Sequence, residues 1–191
     1  MPTAPPLPPA ERAALRRLYR RAPEFAAIER RAGKLPWRTR EAGFSGLLAA
    51  IVGQQISNLA AAAIWARLRA LLATPPCPHA FLALPDTALR EAGLSRPKIA
   101  YARGLAEAVA EGRLALEALS AMPDEEAIAA IAALKGFGRW SAEVYLLFAL
   151  QRRDVFPAAD LALAASLADL RGLADRLGEK ALRAFAEPWA P

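Results

Sequence analysis

The chain has 191 residues, 55% of them hydrophobic, with a formal net charge of +6 and a pI near 10.1. That length holds one domain or two small lobes sharing a substantial core, and the basic balance suits an anionic partner such as nucleic acid. A single cysteine, Cys77, excludes an intramolecular disulfide and any four-cysteine zinc or iron–sulfur site, and points to a reducing, intracellular compartment.

The charge is unevenly placed. Residues 1–40 hold ten Arg/Lys against three Glu, a balance of +7, so the remaining 151 residues sum to −1. Such a cluster reads either as a solvated helix face or as a contact with DNA. The first nine residues form a proline-rich tail with no apolar signal core. Pro9 to Arg21 then reads as a basic helix and Phe25 to Ala32 as a second, with a linker through Gly33 and Leu35-Pro36-Trp37 to about Arg40.

Phe44, Leu47, Leu48 and Ile51 recur at helical spacing until Gly53-Gln54-Gln55-Ile56-Ser57 interrupts them with polar residues. Phe44 to Ala66 is 23 residues without a charge, long enough to span a membrane. The amides and hydroxyl at its middle would be unsatisfied in lipid, so no membrane is expected. An apolar helix follows from about Asn58 to Leu72, ended by Thr74-Pro75-Pro76-Cys77-Pro78, a candidate lobe boundary. Cys77 and His79 share that loop, and two ligands do not close a metal site.

Asp86 is expected to N-cap a short helix ending at Gly93, and Ser95 to begin another reaching Gly112. Pro123 and the acids at 124–126 open a helix that leads into Leu134-Lys135-Gly136-Phe137-Gly138-Arg139. Two readings of the glycines stand. They permit a tight turn between antiparallel helices, or they let backbone amides approach a phosphate, with Lys135 and Arg139 at the edges. Further on, Val155-Phe156-Pro157-Ala158-Ala159 delivers Asp160, the one acid of an apolar run. It reads as an N-cap or as a catalytic carboxylate, and the two roles are compatible. Helices are expected from there to about Leu170 and from about Lys180 to Glu187.

Leu134-Lys135-Gly136-Phe137-Gly138-Arg139-Trp140-Ser141-Ala142-Glu143, followed about twenty residues on by the turn carrying Asp160, resembles the helix-hairpin-helix DNA glycosylases. Gly53-Gln54-Gln55-Ile56-Ser57 and Gly93-Leu94-Ser95-x-x-Lys98 also match that superfamily, in its 3-methyladenine DNA glycosylase II branch. The resemblance covers most of residues 40–191 and implies an all-α, two-lobed fold with an active-site cleft between lobes. It divides the chain into basic N-terminal helices (1–40) packing with the C-terminal part, a helical lobe with the Gly-Gln-Gln motif (41–120), and the hairpin with the acid region (121–191). It also implies a final helix beyond Trp189-Ala190-Pro191, which this sequence does not contain.

Further implications concern chemistry. Asp160 takes the place of the essential acid that stabilises an oxocarbenium-like sugar or activates water. Superfamily members that also nick DNA carry a nucleophilic lysine where this chain has Trp140, so the implied enzyme releases a base without lyase action. Trp140 would stack on a cationic alkylated purine, with Gln54 and Tyr145 in the base pocket. Gln55 would enter the duplex, and Lys135, Gly136, Phe137, Gly138 and Arg139 would hold its backbone. The main-chain carbonyls of Ala132, Leu134 and Phe137 map to a monovalent-cation site for Na+ or K+. No cofactor is required, and no iron–sulfur cluster is expected. The implied partner is double-stranded DNA with alkylated bases, met by a monomer in the bacterial cytoplasm near the nucleoid. The alternative is a catalytically impaired helix-hairpin-helix DNA-binding protein.

Overall fold

A computed structural model describes residues 7–33, 37–72 and 75–190. The start of the proline-rich tail, the Leu35-Pro36 linker, Thr74 and Pro191 lie outside them. Among the described residues every regular element is a helix, and no helix is long and apolar enough to cross a membrane. The chain divides into two compact units, one built from residues 1–39 with 153–191 and the other from 40–152. The stretch 75–78 of the expected lobe boundary falls inside the second unit. The hairpin belongs to the same unit as the Gly-Gln-Gln motif.

The first unit contains α1 (Pro9–Arg21) and α2 (Glu24–Ala32). The second opens with α3 (Gly43–Gly53), whose Leu47, Leu48 and Ile51 are fully buried, each worth about 1.5–3 kcal/mol of transfer from water. Next come α4 (Asn58–Leu71), capped by the Ser57 hydroxyl accepting from the Ala60 N–H at 3.2 Å, and the short α5 (Pro78–Leu82) and α6 (Asp86–Glu91). Asp86 is not the N-cap of α6. Pro85 holds that position, and the Asp86 carboxylate accepts from Arg103 at 2.5 Å instead. A long-range guanidinium, which also donates to the Leu84 carbonyl, outcompetes the local cap.

Arg103 lies on α7 (Arg96–Ala110), which packs on α3 and α5 and buries Ile99, Ala102, Leu105 and Ala106. Then α8 (Asp124–Ala132) and α9 (Arg139–Phe148) form the antiparallel hairpin. The unit closes where the Arg40 N–H donates to the Phe148 carbonyl at 2.8 Å and Arg152 donates to the Leu119, Ser120 and Met122 carbonyls. Back in the first unit, α10 (Leu161–Arg171) and α11 (Glu179–Ala186) bury Ala164, Leu167 and Leu182 against Phe25, Phe156, Phe185 and Trp189.

Candidate active site

The Gly-Gln-Gln loop begins where α3 ends. Lys98 on α7 donates to the Val52 carbonyl at 2.8 Å, a cation at a helix C-terminus where the dipole favours it. Burial there pulls its ammonium below its ordinary range. This gives Lys98 of the Gly-Leu-Ser-x-x-Lys stretch an architectural role. Gln54 turns the chain out of the helix, and Gln55 follows with φ +57°, a left-handed conformation unusual for a residue with a side chain. Non-glycine residues held there concentrate at functional positions. Gln55 is exposed, with Ile56 beside it, while the Gln54 Nε2 donates to the Gly136 carbonyl at 2.7 Å. That bond commits the Gln54 amide to the hairpin and joins the two motifs.

Within the hairpin the two glycines have different reasons. Gly136 sits at φ +97°, and a Cβ built there would lie 2.5 Å from the Tyr101 Cγ. Its requirement is internal. Gly138 has φ −116° and ψ 175°, which any residue adopts, and a Cβ there would meet nothing within 4 Å. Nothing inside the fold demands glycine at 138, so the space it leaves is available to something outside. Gly138 is also the N-cap of α9 and supplies no side-chain cap, and the first N–H groups of a helix have no partner within it. Phe137 between the glycines is buried at 7% exposure and anchors the turn.

Lys135 is exposed, but Arg139 is not a loose cation at the edge of the loop. Its guanidinium donates two bonds to Glu125, at 2.6 and 2.8 Å, and a third to Glu143 at 3.0 Å. Glu125, then Glu143, hold it charged well above the ordinary guanidinium range. Arg139 thus cross-braces α8 and α9, and Glu143 is 1% exposed. Trp140, the next residue, is 42% exposed. Tyr145 is instead a core residue at 4% exposure, its hydroxyl accepting from the Gly43 N–H at 2.7 Å. Burial raises its phenol pKa. The ring steadies the start of α3 and presents no face to a base.

Asp160 is the N-cap of α10. Its Oδ1 accepts both the Ala162 N–H at 3.0 Å and the Leu163 N–H at 2.9 Å. The carboxylate is half-buried in a turn where the Asp160 N–H donates to the Pro157 carbonyl. At the hairpin turn the Leu134 carbonyl accepts the Phe137 N–H at 3.0 Å, using one of its two lone pairs. Among the described residues no cluster of His, Cys, Asp or Glu could hold a metal.

The family model described as HhH-GPD superfamily base excision DNA repair protein matches residues 48–191. The chain belongs to the HhH-GPD superfamily. The DNA-3-methyladenine glycosylase 1 of Schizosaccharomyces pombe is 32% identical over 123 residues, 63% of this chain and 54% of that protein. A crystal structure of a Bacillus halodurans DNA-3-methyladenine glycosidase superposes with a TM-score of 0.81 at 32% identity, covering 93% of this chain and 82% of that one. The S. pombe 3-methyladenine DNA glycosylase in complex with abasic DNA gives a TM-score of 0.78 at 28% identity, covering 88% and 84%. This chain spans about half the length of the curated relatives it matches.

In this HhH-GPD chain the residues that sequence reasoning missed are those that hold the motifs in place. Tyr101 fills the space that Gly136 leaves, and Glu125 and Glu143 take the guanidinium of Arg139. Tyr101 and Glu125 lie at least 14 positions from their partners, so no local pattern marks them. Glu143 stands at i+4 from Arg139 on α9, a spacing the sequence did offer.

Proposed function

We propose that this chain is a monofunctional DNA glycosylase of base excision repair. It hydrolyses the N-glycosidic bond of alkylated purines such as 3-methyladenine and leaves an abasic site. The observation that carries this reading is Asp160, an acid fixed by two backbone N–H groups through one oxygen in a chain of the HhH-GPD superfamily. Breaking the bond builds positive charge on the deoxyribose, and a fixed carboxylate offsets it without reorganising solvent. The same carboxylate can orient or deprotonate the attacking water.

The other roles follow from the local geometry. Double-stranded DNA is held at the hairpin by the amides that open α9, with Gly138 giving the phosphate room and Lys135 adding charge. The exposed Gln55 enters the duplex from which the damaged base has turned. Trp140 stacks on the extruded base, where an electron-rich ring favours a cationic purine. Its place after the glycines, where superfamily lyases carry lysine, supports base release without strand nicking. Carbonyls of Ala132, Leu134 and Phe137 would hold a Na+ or K+ ion, adding positive charge near the bound phosphate. The protein acts as a monomer.

The test is release of base from duplex DNA carrying 3-methyladenine, by the parent chain and by Asp160→Asn. Asparagine caps a helix as well as aspartate, so stability should move by less than about 0.5 kcal/mol. Release should fall by at least about 100-fold, the scale of removing one transition-state stabiliser. Borohydride should trap no covalent DNA adduct. An Asp160→Asn variant that releases base at the parent rate overturns the assignment. A parent that binds DNA and releases nothing leaves the DNA-binding alternative.

A further inference from the structure

The mechanism leaves unused the strongest concentration of charge in the chain, on α1. Arg12, Arg16, Arg17, Arg20 and Arg21 are all exposed. At 100° per residue Arg12, Arg16 and Arg20 fall on one narrow stripe, with Arg17 at its border, each guanidinium about 6 Å further along the axis. Leu18 lies on the opposite side, Leu15 between, and Tyr19 next to Arg12 at the edge of the stripe; all three are half-buried. Tyr19 donates to Glu29 on α2 at 2.7 Å, and Leu18 lines a cavity of about 1030 Å³ with Phe25 and Trp189. The helix is held through Leu18 and Tyr19 while its arginines stay exposed.

Several arginines elsewhere are paired inside the fold. Arg103 binds Asp86, Arg139 binds Glu125, Arg152 binds Asp124, Arg153 binds Glu11 and Arg171 binds Glu24. Arg12, Arg16 and Arg20 make no ion pair among the described residues. The one acid of α1, Glu11, is turned to Arg153 and does not neutralise the stripe. A face that merely needs solvation mixes signs, because like charges at i,i+4 repel. Here the pairs 12/16, 16/20 and 17/21 each set like charge against like. A polyanion would relieve that repulsion.

We infer that the Arg12–Arg16–Arg20 stripe of α1 is a second phosphate-binding surface, gripping the DNA backbone without reading sequence. This rests on the reading of the chain as a DNA glycosylase. A bilayer fits less well, since an interfacial helix needs a free apolar face and that of α1 is already in use.

Counterion release supplies the test. The observed association constant for a duplex with a tetrahydrofuran abasic analogue is measured by anisotropy over a series of NaCl concentrations. The parent is compared with R12Q/R16Q/R20Q, since Gln keeps helix propensity close to that of Arg. Each phosphate contact contributes about 0.9 to the slope of log K against log salt, so the triple variant should be shallower by about 2–3. R12K/R16K/R20K keeps the charge and should keep the slope. If the triple variant fails to fold, Arg16→Gln alone should still lower the slope by about 0.9. Parent binding with an unchanged slope in the Gln variants overturns this inference alone. A parent that does not bind the duplex overturns the glycosylase reading and this inference together.

Discussion

Replacing each hairpin glycine by serine separates two reasons for glycine that look identical in sequence. At Gly136 a serine must adopt φ +97°, which costs a residue with a Cβ about 1–2 kcal/mol. Its Cβ would also stand 2.5, 2.6 and 2.8 Å from the Tyr101 Cγ, Cδ2 and Cβ. Relieving such an overlap in a packed core costs about 1–3 kcal/mol. Gly136→Ser should therefore destabilise by about 2–5 kcal/mol, a melting temperature lower by roughly 4–20 °C for a chain of this size. At Gly138 the backbone is extended and the Cβ meets nothing, while serine is a better N-cap than glycine. Gly138→Ser should match or slightly exceed the parent in stability, within about 0.5 kcal/mol. Its side chain would occupy the room that the proposed phosphate contact needs, so affinity for abasic duplex should fall at least tenfold, about 1.4 kcal/mol. Urea denaturation and anisotropy titration read the two quantities. A Gly136→Ser protein as stable as the parent would refute the internal reason. A Gly138→Ser protein that binds DNA normally would refute the external one.

Two further outcomes follow from side chains the fold has already engaged. Tyr145→Phe removes the acceptor of the Gly43 N–H and should cost about 1–2 kcal/mol. Because burial raises the Tyr145 pKa, its contribution is whole below the ordinary phenol value of about 10. It is lost as pH climbs from there through the raised value, since the unfolded chain ionises first. Tyr145→Phe should flatten that alkaline decline, and an unchanged pH profile would remove Tyr145 from the core role. Arg139→Gln strips the brace from Glu125 and the buried Glu143, and should cost about 1–3 kcal/mol in chemical denaturation. Glu125→Gln, at an exposed partner, should cost less than about 1 kcal/mol. An Arg139→Gln protein of parental stability with weakened DNA binding would make Arg139 a phosphate ligand after all.

The all-helical architecture was legible because its signals are local. Phe44, Leu47, Leu48 and Ile51 declare their helix by spacing, and Pro123 with its three acids declares the start of α8. Asp160 was legible as a cap for the same reason, since a cap bonds amides two and three residues away. Arg139 and Tyr145 were not. Glu125 lies 14 residues from Arg139 and Gly43 lies 102 from Tyr145, so sequence marks neither partner; only the Glu143 end of the Arg139 brace, at i+4, has a local spacing. Asp86 shows the same limit, because Arg103 reaches it from 17 residues away. The positive φ of Gln55 is likewise invisible in sequence, since glutamine advertises no left-handed backbone.

The Gln54–Gly136 bond sets a span as well as a contact. It ties the loop bearing Gln55 to the turn bearing Gly138, so the interval between the proposed wedge and the proposed grip is set before any duplex arrives. Two independent loops would each have to be ordered during the encounter, at about 0.5–1.5 kcal/mol per immobilised side chain, and the slower would gate association. A paired surface instead works as a gauge, which a passing duplex either matches in register or leaves at once. Its arrival rate would then follow diffusion and charge, and the discrimination would lie in how long the duplex stays.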